Sequence, residues 1–498
     1  MIRRLLIANR GEIAVRILRA CRELGIETVA VYSDADAGAK HVRDSDVAIS
    51  IGAAPAAASY LDAAKIIAAA RSTNADAVHP GYGFLSERAH FARACENAGL
   101  IFVGPPAASL EKMGSKIGAR RLMHDAGVPI VPGEAPSNQS DNALTAAAER
   151  LGYPVLIKPS AGGGGIGMKI ARSKGELAEA LSRARREATS SFGDDALYVE
   201  RLIERPRHVE IQVFADALGH IVHLFERECS AQRRHQKMVE ESPCLALSAG
   251  LRERMGAAAI AAARAVGYQN AGTCEFLLEG SGDSARFYFL EMNTRLQVEH
   301  PVTECVVGVD LVHAQLRVAS GEPLPFTQGG LSQRGHAIEC RVYAEDPAQG
   351  FIPQAGTILL YQEPQGPGIR VDGWIEQGSV VSVHYDPLLA KLIVWGETRE
   401  AARRRAIAAL RNYAILGIRT NIPFMLQILE HPDFESAKID TGFLDREAPA
   451  LAKATEREMP AVALAAINLH RTSGTPGPRE PSGTTGSDPF VALRGFRV

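Results

Sequence analysis

The sequence predicts an α/β region at its amino-terminal end that gives way to α+β architecture further along. Three observations predict this. Through residue 110, short apolar runs alternate with stretches of helical spacing. A run of four glycines follows an apolar segment near residue 160. Beyond residue 195, apolar runs succeed one another with little helix between them. Strand–helix alternation builds parallel sheets covered on both faces, whereas consecutive strands build hairpin-rich antiparallel ones.

The chain has 498 residues, which at about 150 per domain is roughly three domains. Hydrophobic residues make up 46% and charged residues 22%, enough apolar material for a large core. A net charge of -2 provides no electrostatic footprint for nucleic acid or an anionic membrane, so neither is expected as a partner. The seven cysteines form no C-x-x-C pair, which argues against structural zinc and for reduced thiols in the cytoplasm. The apolar stretch Leu5–Ala8 is too short for a signal-peptide core, and no run of 18 apolar residues exists to span a membrane.

Taken in order, Arg4–Ala8 reads as a buried strand. Gly11–Leu24 carries Ile13, Ile17 and Cys21 on one helical face. Glu27–Tyr32, Val47–Ile51, Ala75–Val78 and Ile101–Val103 repeat the strand pattern. The first strand–helix turn, Ala8–Ile13, lacks G-x-G-x-x-G, so a Rossmann-like fold without a dinucleotide is predicted. Pro129–Ser140 has the composition of a linker. Val155–Lys158 reads as a strand, Lys174–Ser190 as a helix, and Leu197–Glu200, Val209–Phe214 and Ile221–Phe225 as strands. Leu251–Val266 reads as a helix, followed by strands Cys274–Leu278 and Phe287–Glu291. A last unit begins near Gln333, with strands His336–Tyr343 and Thr357–Tyr361 and a helix Arg399–Arg411. Residues 472–489 are almost all Pro, Gly, Ser or Thr and read as a flexible linker.

Three segments carry chemistry. Successive glycines at 162–165 let backbone N–H groups approach anionic oxygens, and Lys158 ends the preceding strand, so the segment suits phosphate; no Walker Gly-Lys-Ser/Thr follows. The run Phe287–Pro301 delivers Glu291 and Asn293 two residues apart, on one strand face, and the preceding strand supplies Glu275; carboxylate and amide oxygens suit Mg²⁺. If the extended alternation continues, Arg295, Gln297 and Glu299 converge as a cation, an amide and a base. The third segment, Glu228–Lys237, is densely cationic; alone it reads equally as a solvated loop, and beside the other two as an anion site.

The order Lys116, Lys158 with the glycine loop, Glu200, Glu275, Glu291-x-Asn293 resembles the ATP-grasp ligases. More narrowly, "HPGYGFLSE" (His79–Glu87), "RPRHVEIQV" (Arg205–Val213), "ECSAQRRHQK" (Glu228–Lys237) and "EMNTRLQVEHPVTE" (Glu291–Glu304) resemble the biotin carboxylase subunit of biotin-dependent carboxylases, over about Ile2 to Leu444. The resemblance implies a Rossmann-like domain over 1–110, an ATP-grasp domain over 111–330 with a lid at about 130–205, a mixed α+β domain over 331–447, and a linker or tail over 448–498. It implies that Lys116 and Lys158 contact ATP phosphates, with Gly164 and Gly165 closing over them. Glu200 and the backbone of Arg201, Leu202 and Ile203 would receive adenine, and His208, Gln232 and His235 would lie about the ribose. Glu275 and Glu291, with Asn293 nearby, would hold Mg²⁺ or Mn²⁺. Lys237, Arg295, Gln297 and the Val298 amide would hold bicarbonate, Glu299 would be the base, and Arg341, paired with Asp386, would face biotin together with Tyr82.

The implied reaction carboxylates biotin through carboxyphosphate, the first half-reaction of an acetyl-, propionyl- or methylcrotonyl-type acyl-CoA carboxylase. No Ala/Val-Met-Lys-Met attachment motif occurs, so biotin is expected on a carrier that is another chain or a part of the protein outside this sequence, with carboxyltransferase subunits as further partners. "GPGIRVDGWIEQGSVV" (Gly366–Val381) resembles the propionyl- or methylcrotonyl-type α subunits, and Pro367 replaces an aromatic used at the dimer contact of stand-alone subunits, so a homodimer stays an open expectation. Ile166 stands where the family has Arg or Lys in the glycine loop. Two rival readings remain, another ATP-grasp ligase and a non-catalytic assembly subunit.

Overall fold

The apolar runs of the first hundred residues become strands β1 (Arg4–Ile7), β2 (Glu27–Ser33), β3 (Val47–Gly52), β4 (Ala77–His79) and β5 (Ile101–Phe102). They pair in parallel in the order β3-β2-β1-β4-β5. Alternate residues of β1 enter opposite cores, as the two-residue period of a strand requires. Leu5 and Ile7 pack with Ile13, Ile17 and Cys21 of the helix Gly11–Glu23, and Leu6 packs with Ile66 and Phe91. This computed structural model describes residues 1–160 and 166–453; the Gly164 and Gly165 expectation and the Pro/Gly/Ser/Thr-rich tail lie outside the described residues.

A second sheet is antiparallel, formed by β6 (Gly133–Glu134), β7 (Val155–Pro159), β8 (Lys169–Ala171) and β9 (Leu197–Arg201) in the order β6-β9-β7-β8. Its apolar face packs on the helices Asp141–Leu151 and Lys174–Phe192. The reading of Pro129–Ser140 as a linker is corrected here. Gly133 pairs with Glu200, and Ile130 bridges Phe289. The segment is held by hydrogen-bonding partners distant in sequence, which its turn-like composition does not report.

The third sheet has eight antiparallel strands. β10 (Arg207–Ala215), β11 (Ile221–Arg233), β12 (Gln236–Ser242), β13 (Asn270–Glu279), β14 (Arg286–Asn293) and β15 (His336–Tyr343) are joined by Ile369–Gly373 and Leu388–Gly396. The spatial order runs β14-β13-β10-β11-β12-β15, then Leu388–Gly396 and Ile369–Gly373. On β10, Val209, Ile211 and Val213 join Cys274, Phe276 and Leu278 of β13 under the helix Ala249–Val266. Phe276, fully buried, meets Phe287 and Phe289 edge-on at 5.6 and 6.0 Å; its truncation to Ala would cost about 3–5 kcal/mol. The intervening His208, Glu210 and Gln212 take the opposite face.

Two strand expectations change. β11 runs past Phe225 to Arg233, so the cationic segment Glu228–Lys237 is the end of a hairpin, with Arg234 and His235 exposed at its tip in left-handed conformation and Glu228–Gln232 buried. Thr357–Tyr361 is not one strand: Gly356–Thr357 pairs with Val380–Val381, and Leu360–Gln362 pairs with Ala414–Leu416. The chain changes partners between Ile358 and Leu359, whose amides bond to Ser379 O and Leu416 O. All seven cysteines are free thiols.

Candidate functional site

The polar face of the large sheet lines a cavity of about 1450 Å³, together with residues of the four-stranded sheet and of Gly83–Arg88. Strand register brings its charges together. Glu210 lies opposite Glu275, Glu275 opposite Glu291, and Gln232 opposite Lys237. Five strands therefore contribute to one surface although these residues are separated by up to about eighty positions.

At its centre Lys237 Nζ reaches Glu210 Oε2 at 2.6 Å, Glu275 Oε1 at 2.9 Å and Glu299 Oε1 at 2.6 Å. Arg341 donates from Nε to Glu240 Oε1 at 2.5 Å and from Nη2 to Glu299 Oε2 at 2.9 Å. Burial alone would push Glu299 up, but Lys237, Arg341 and Arg227 outweigh it and hold the carboxyl well below its usual range. Burial would lower Lys237, yet its three carboxylates hold it well above an ordinary lysine. Glu240, opposite Glu339 in the register of β12 and β15, is pushed up to about 7 by burial despite Arg341.

Arg295 donates to Glu87 Oε2 at 3.0 Å, Gln297 Oε1 at 3.1 Å and Asn293 Oδ1 at 3.3 Å. Gln297 Nε2 reaches Glu275 Oε1 at 3.4 Å. Arg295, Gln297 and Glu299 do not continue the strand as the alternation predicted. β14 ends at Asn293, and a turn leads into the helix His300–Val307, whose second residue is Pro301. Proline has no N–H for a strand ladder and suits a helix's first turn. Arg295 and Gln297 still line the cavity, and Glu299, fully buried, is tied to it through Lys237 and Arg341.

At the other end, Lys116 and Lys158 line the cavity. Lys158 Nζ lies 3.0 Å from Glu200 Oε2, and Arg120 Nη1 donates to Glu200 Oε1 at 2.5 Å. Burial would lower Lys158, but Glu200 holds it up; Lys116 is lowered by burial, which Glu291 only partly offsets. The amides of Arg201 and Leu202 bond to Pro132 O and Pro154 O, while the Ile203 amide has no partner among the described residues, so of the three it is free to meet a base edge. The Arg201 guanidinium turns to Glu279 and Tyr288. Gln232 and His235 line the same cavity, and His208 Nε2 lies 3.2 Å from Glu275 Oε2.

Among the described residues Glu291 makes no ion pair or hydrogen bond through its carboxylate, and burial with the nearby Glu275 raises it. Asn293 Nδ2 is buried without a partner. Two facing carboxylates, one free of any ion pair, plus Asn293 Oδ1, which accepts only a long bond from Arg295, make a hard oxygen donor set that fits Mg²⁺ or Mn²⁺.

Tyr82 OH donates to Glu12, and Arg341 and Asp386 both line the cavity. The expected Arg341–Asp386 pair is not formed. Arg341 turns to Glu240 and Glu299, whose buried charges attract it more strongly than Asp386, which accepts the Leu388 amide. Sequence reasoning missed Glu87, Arg120, Glu210, Arg227 and Glu240. The polar–apolar alternation of His208-Val209-Glu210-Ile211-Gln212 carried a signal for Glu210.

Comparisons with known proteins bear on this geometry. Family models described as "Biotin carboxylase, N-terminal domain", "Carbamoyl-phosphate synthase L chain, ATP binding domain" and "Biotin carboxylase C-terminal domain" match residues 1–110, 115–327 and 339–446. The chain is 50% identical over 446 residues to the mitochondrial methylcrotonoyl-CoA carboxylase subunit alpha of Oryza sativa subsp. japonica, covering 89% of this chain and 60% of that one. It thus spans about 60% of the length of such relatives. It is 50% identical over 444 residues to the biotin carboxylase of Halalkalibacterium halodurans, covering 89% of this chain and 97% of that protein. The biotin carboxylase domain dimer of Hydrogenobacter thermophilus 2-oxoglutarate carboxylase, in complex with MgADP, ADP and bicarbonate, superposes with a TM-score of 0.87 at 45% identity, covering 91% of this chain and 99% of that chain. A biotin carboxylase complex from Campylobacter jejuni matches at 0.86 and 43%, covering 90% and 99%.

Proposed function

This chain belongs to the biotin carboxylase family of ATP-grasp enzymes, and from that premise we propose that it carboxylates carrier-borne biotin using ATP and bicarbonate. The observation that carries the reading is the buried Glu299 carboxylate gripped between Lys237 and Arg341, which line the same cavity as Lys116 and Lys158. Lys237, Arg295, Gln297 and the Val298 amide bind bicarbonate. Its negative charge shares the cations that now hold Glu299 down, which lifts the carboxylate toward basicity. Glu299 takes the bicarbonate proton as an oxygen attacks the γ-phosphorus, giving carboxyphosphate and ADP. Lys116 and Lys158 stabilise charge spread over the phosphoryl oxygens. Glu275, Glu291 and Asn293 would hold Mg²⁺ or Mn²⁺, which supplies further positive charge to the triphosphate when bound. Carboxyphosphate then yields CO₂ and phosphate, phosphate removes the ureido N–H proton, and Arg341 stabilises the enolate of biotin beside Tyr82.

In this reading residues 1–110 and 331–447 flank an ATP-grasp unit over 111–330, with 130–205 as the lid. A carboxyltransferase partner completes an acyl-CoA carboxylase, supported by the subunit alpha relatives. The seven unpaired thiols support a reducing compartment, and we read the protein as cytoplasmic. No helix among the described residues is long and apolar enough to cross a membrane. The test is ADP release with Mg²⁺ and ATP, with and without bicarbonate and free biotin. A rate raised only when both are present supports the reading; a rate indifferent to both overturns it.

A further inference from the structure

We infer that His300 and Lys391 are positioning residues that brace the two peptide groups flanking Val298 and so aim its N–H at bicarbonate. The inference rests on the proposed bicarbonate site and names what builds it. His300 Nδ1 lies 2.8 Å from the Gln297 carbonyl oxygen. A carbonyl accepts only, so Nδ1 carries the proton. Lys391 Nζ donates to the Val298 carbonyl oxygen at 2.8 Å.

Each carbonyl belongs to a planar trans peptide, in which the oxygen and the N–H point in opposite directions. The Gln297 oxygen and the Val298 N–H share one such plane. Held from behind by the fully buried His300, that plane turns the Val298 N–H the other way, and Val298 lines the cavity. Among the described residues the Val298 amide has no partner of its own, so it is a donor kept free. The next peptide, which leads into Glu299, is held by Lys391 from the strand Leu388–Gly396.

Both braces are themselves fixed. Lys391 is fully buried, pairs with Glu12 Oε1 at 3.0 Å, and lies opposite Arg341 in the strand register. The same Glu12 accepts from Tyr82. His300 is kept neutral by burial, and its Nε2 has no hydrogen-bond partner among the described residues, so Nδ1 is the only ring atom so engaged.

The test compares His300→Leu, which removes the side-chain donor and leaves the Gln297 oxygen only the longer 3.3 Å bond from the residue 300 backbone N–H, with His300→Asn, whose amide N–H reproduces the position of Nδ1–H. Misplacing a donor by about an ångström costs on the order of 10- to 100-fold. His300→Leu is expected to raise the bicarbonate KM by about that factor with the ATP KM unchanged, and His300→Asn to restore most of the loss. An unchanged bicarbonate KM in His300→Leu, an equal rise in the ATP KM, or no rescue by Asn overturns the inference. Should His300→Leu fail to fold, His300→Asn against His300→Gln carries the test, because the Gln amide reaches the Nε2 position instead; Asn is expected to work better, and Gln matching or exceeding it overturns the brace. A wild-type rate indifferent to bicarbonate sinks the functional reading itself, whereas a bicarbonate-dependent wild type with unaffected variants sinks only the brace.

Discussion

Glu299 Oε1 lies 2.6 Å from Lys237 Nζ, an ammonium already bonded to Glu210 and Glu275. The proposed base is thus wired into a network that also reaches Glu275, one of the proposed metal carboxylates, and each charge there bears on the protonation of the next.

Glu299→Gln keeps shape and removes basicity. Turnover should fall about 10²-fold or more while nucleotide binding stays intact. Steady-state ADP release and nucleotide titration check it, and full biotin-dependent turnover in the variant would remove Glu299 from its role.

Glu291 makes no ion pair or hydrogen bond through its carboxylate among the described residues, although Lys116 and Lys158 lie near, so its oxygens are open to a metal. Glu291→Gln should raise the Mg²⁺ needed for half-maximal rate by about 10-fold or more. A Mg²⁺ dependence identical to wild type counts against the proposed donor set.

Glu304 joins Arg16 Nη2 at 3.0 Å and Arg370 Nη1 at 2.7 Å, linking the first helix to the strand Ile369–Gly373. Burial would raise this carboxyl, but the guanidinium groups of Arg16 and Arg370 help hold it down to about 2. A depressed carboxylate stabilises the fold above its unfolded value of 4.5 and loses that contribution as pH falls toward 2. Glu304→Gln should lose about 1.5–3 kcal/mol at pH 7, because Arg16 and Arg370 each lose one buried carboxylate partner while keeping Asp310 and Asp372. Urea unfolding at neutral and acid pH should show the gap between variant and wild type narrowing below pH 4.5; a gap that widens contradicts the assignment.

Ile166 is 53% exposed beside the glycine run and offers no hydrogen bond to a phosphate. Ile166→Arg should lower the ATP KM by about 10-fold, a charge-assisted contact's worth, and the gain should shrink in high salt. An unchanged or higher KM at both ionic strengths means that this position does not meet the nucleotide.

Local pattern made the parallel sheet and most strands of the large sheet legible. The β1 alternation and the Gly11–Glu23 face need only neighbours in sequence. What stayed hidden depends on register. Arg120 matters because it shares Glu200 with Lys158, and Glu240 because β12 lies beside β15 and Arg341. Neither relation leaves a trace in spacing. The turn after Asn293 was hidden because Arg295, Gln297 and Glu299 alternate as a strand would, while Pro301 ends that option.

The pairing of β12 with β15, Val239 opposite Cys340, joins segments on either side of residue 330 into one sheet. Severing the chain there would create two raw sheet edges, each a row of unsatisfied amides and carbonyls. Such edges recruit foreign strands. The halves produced separately would therefore be prone to clump, and produced together they could reassemble only by rebuilding that one ladder, on which the spacing of Lys237 and Arg341 depends.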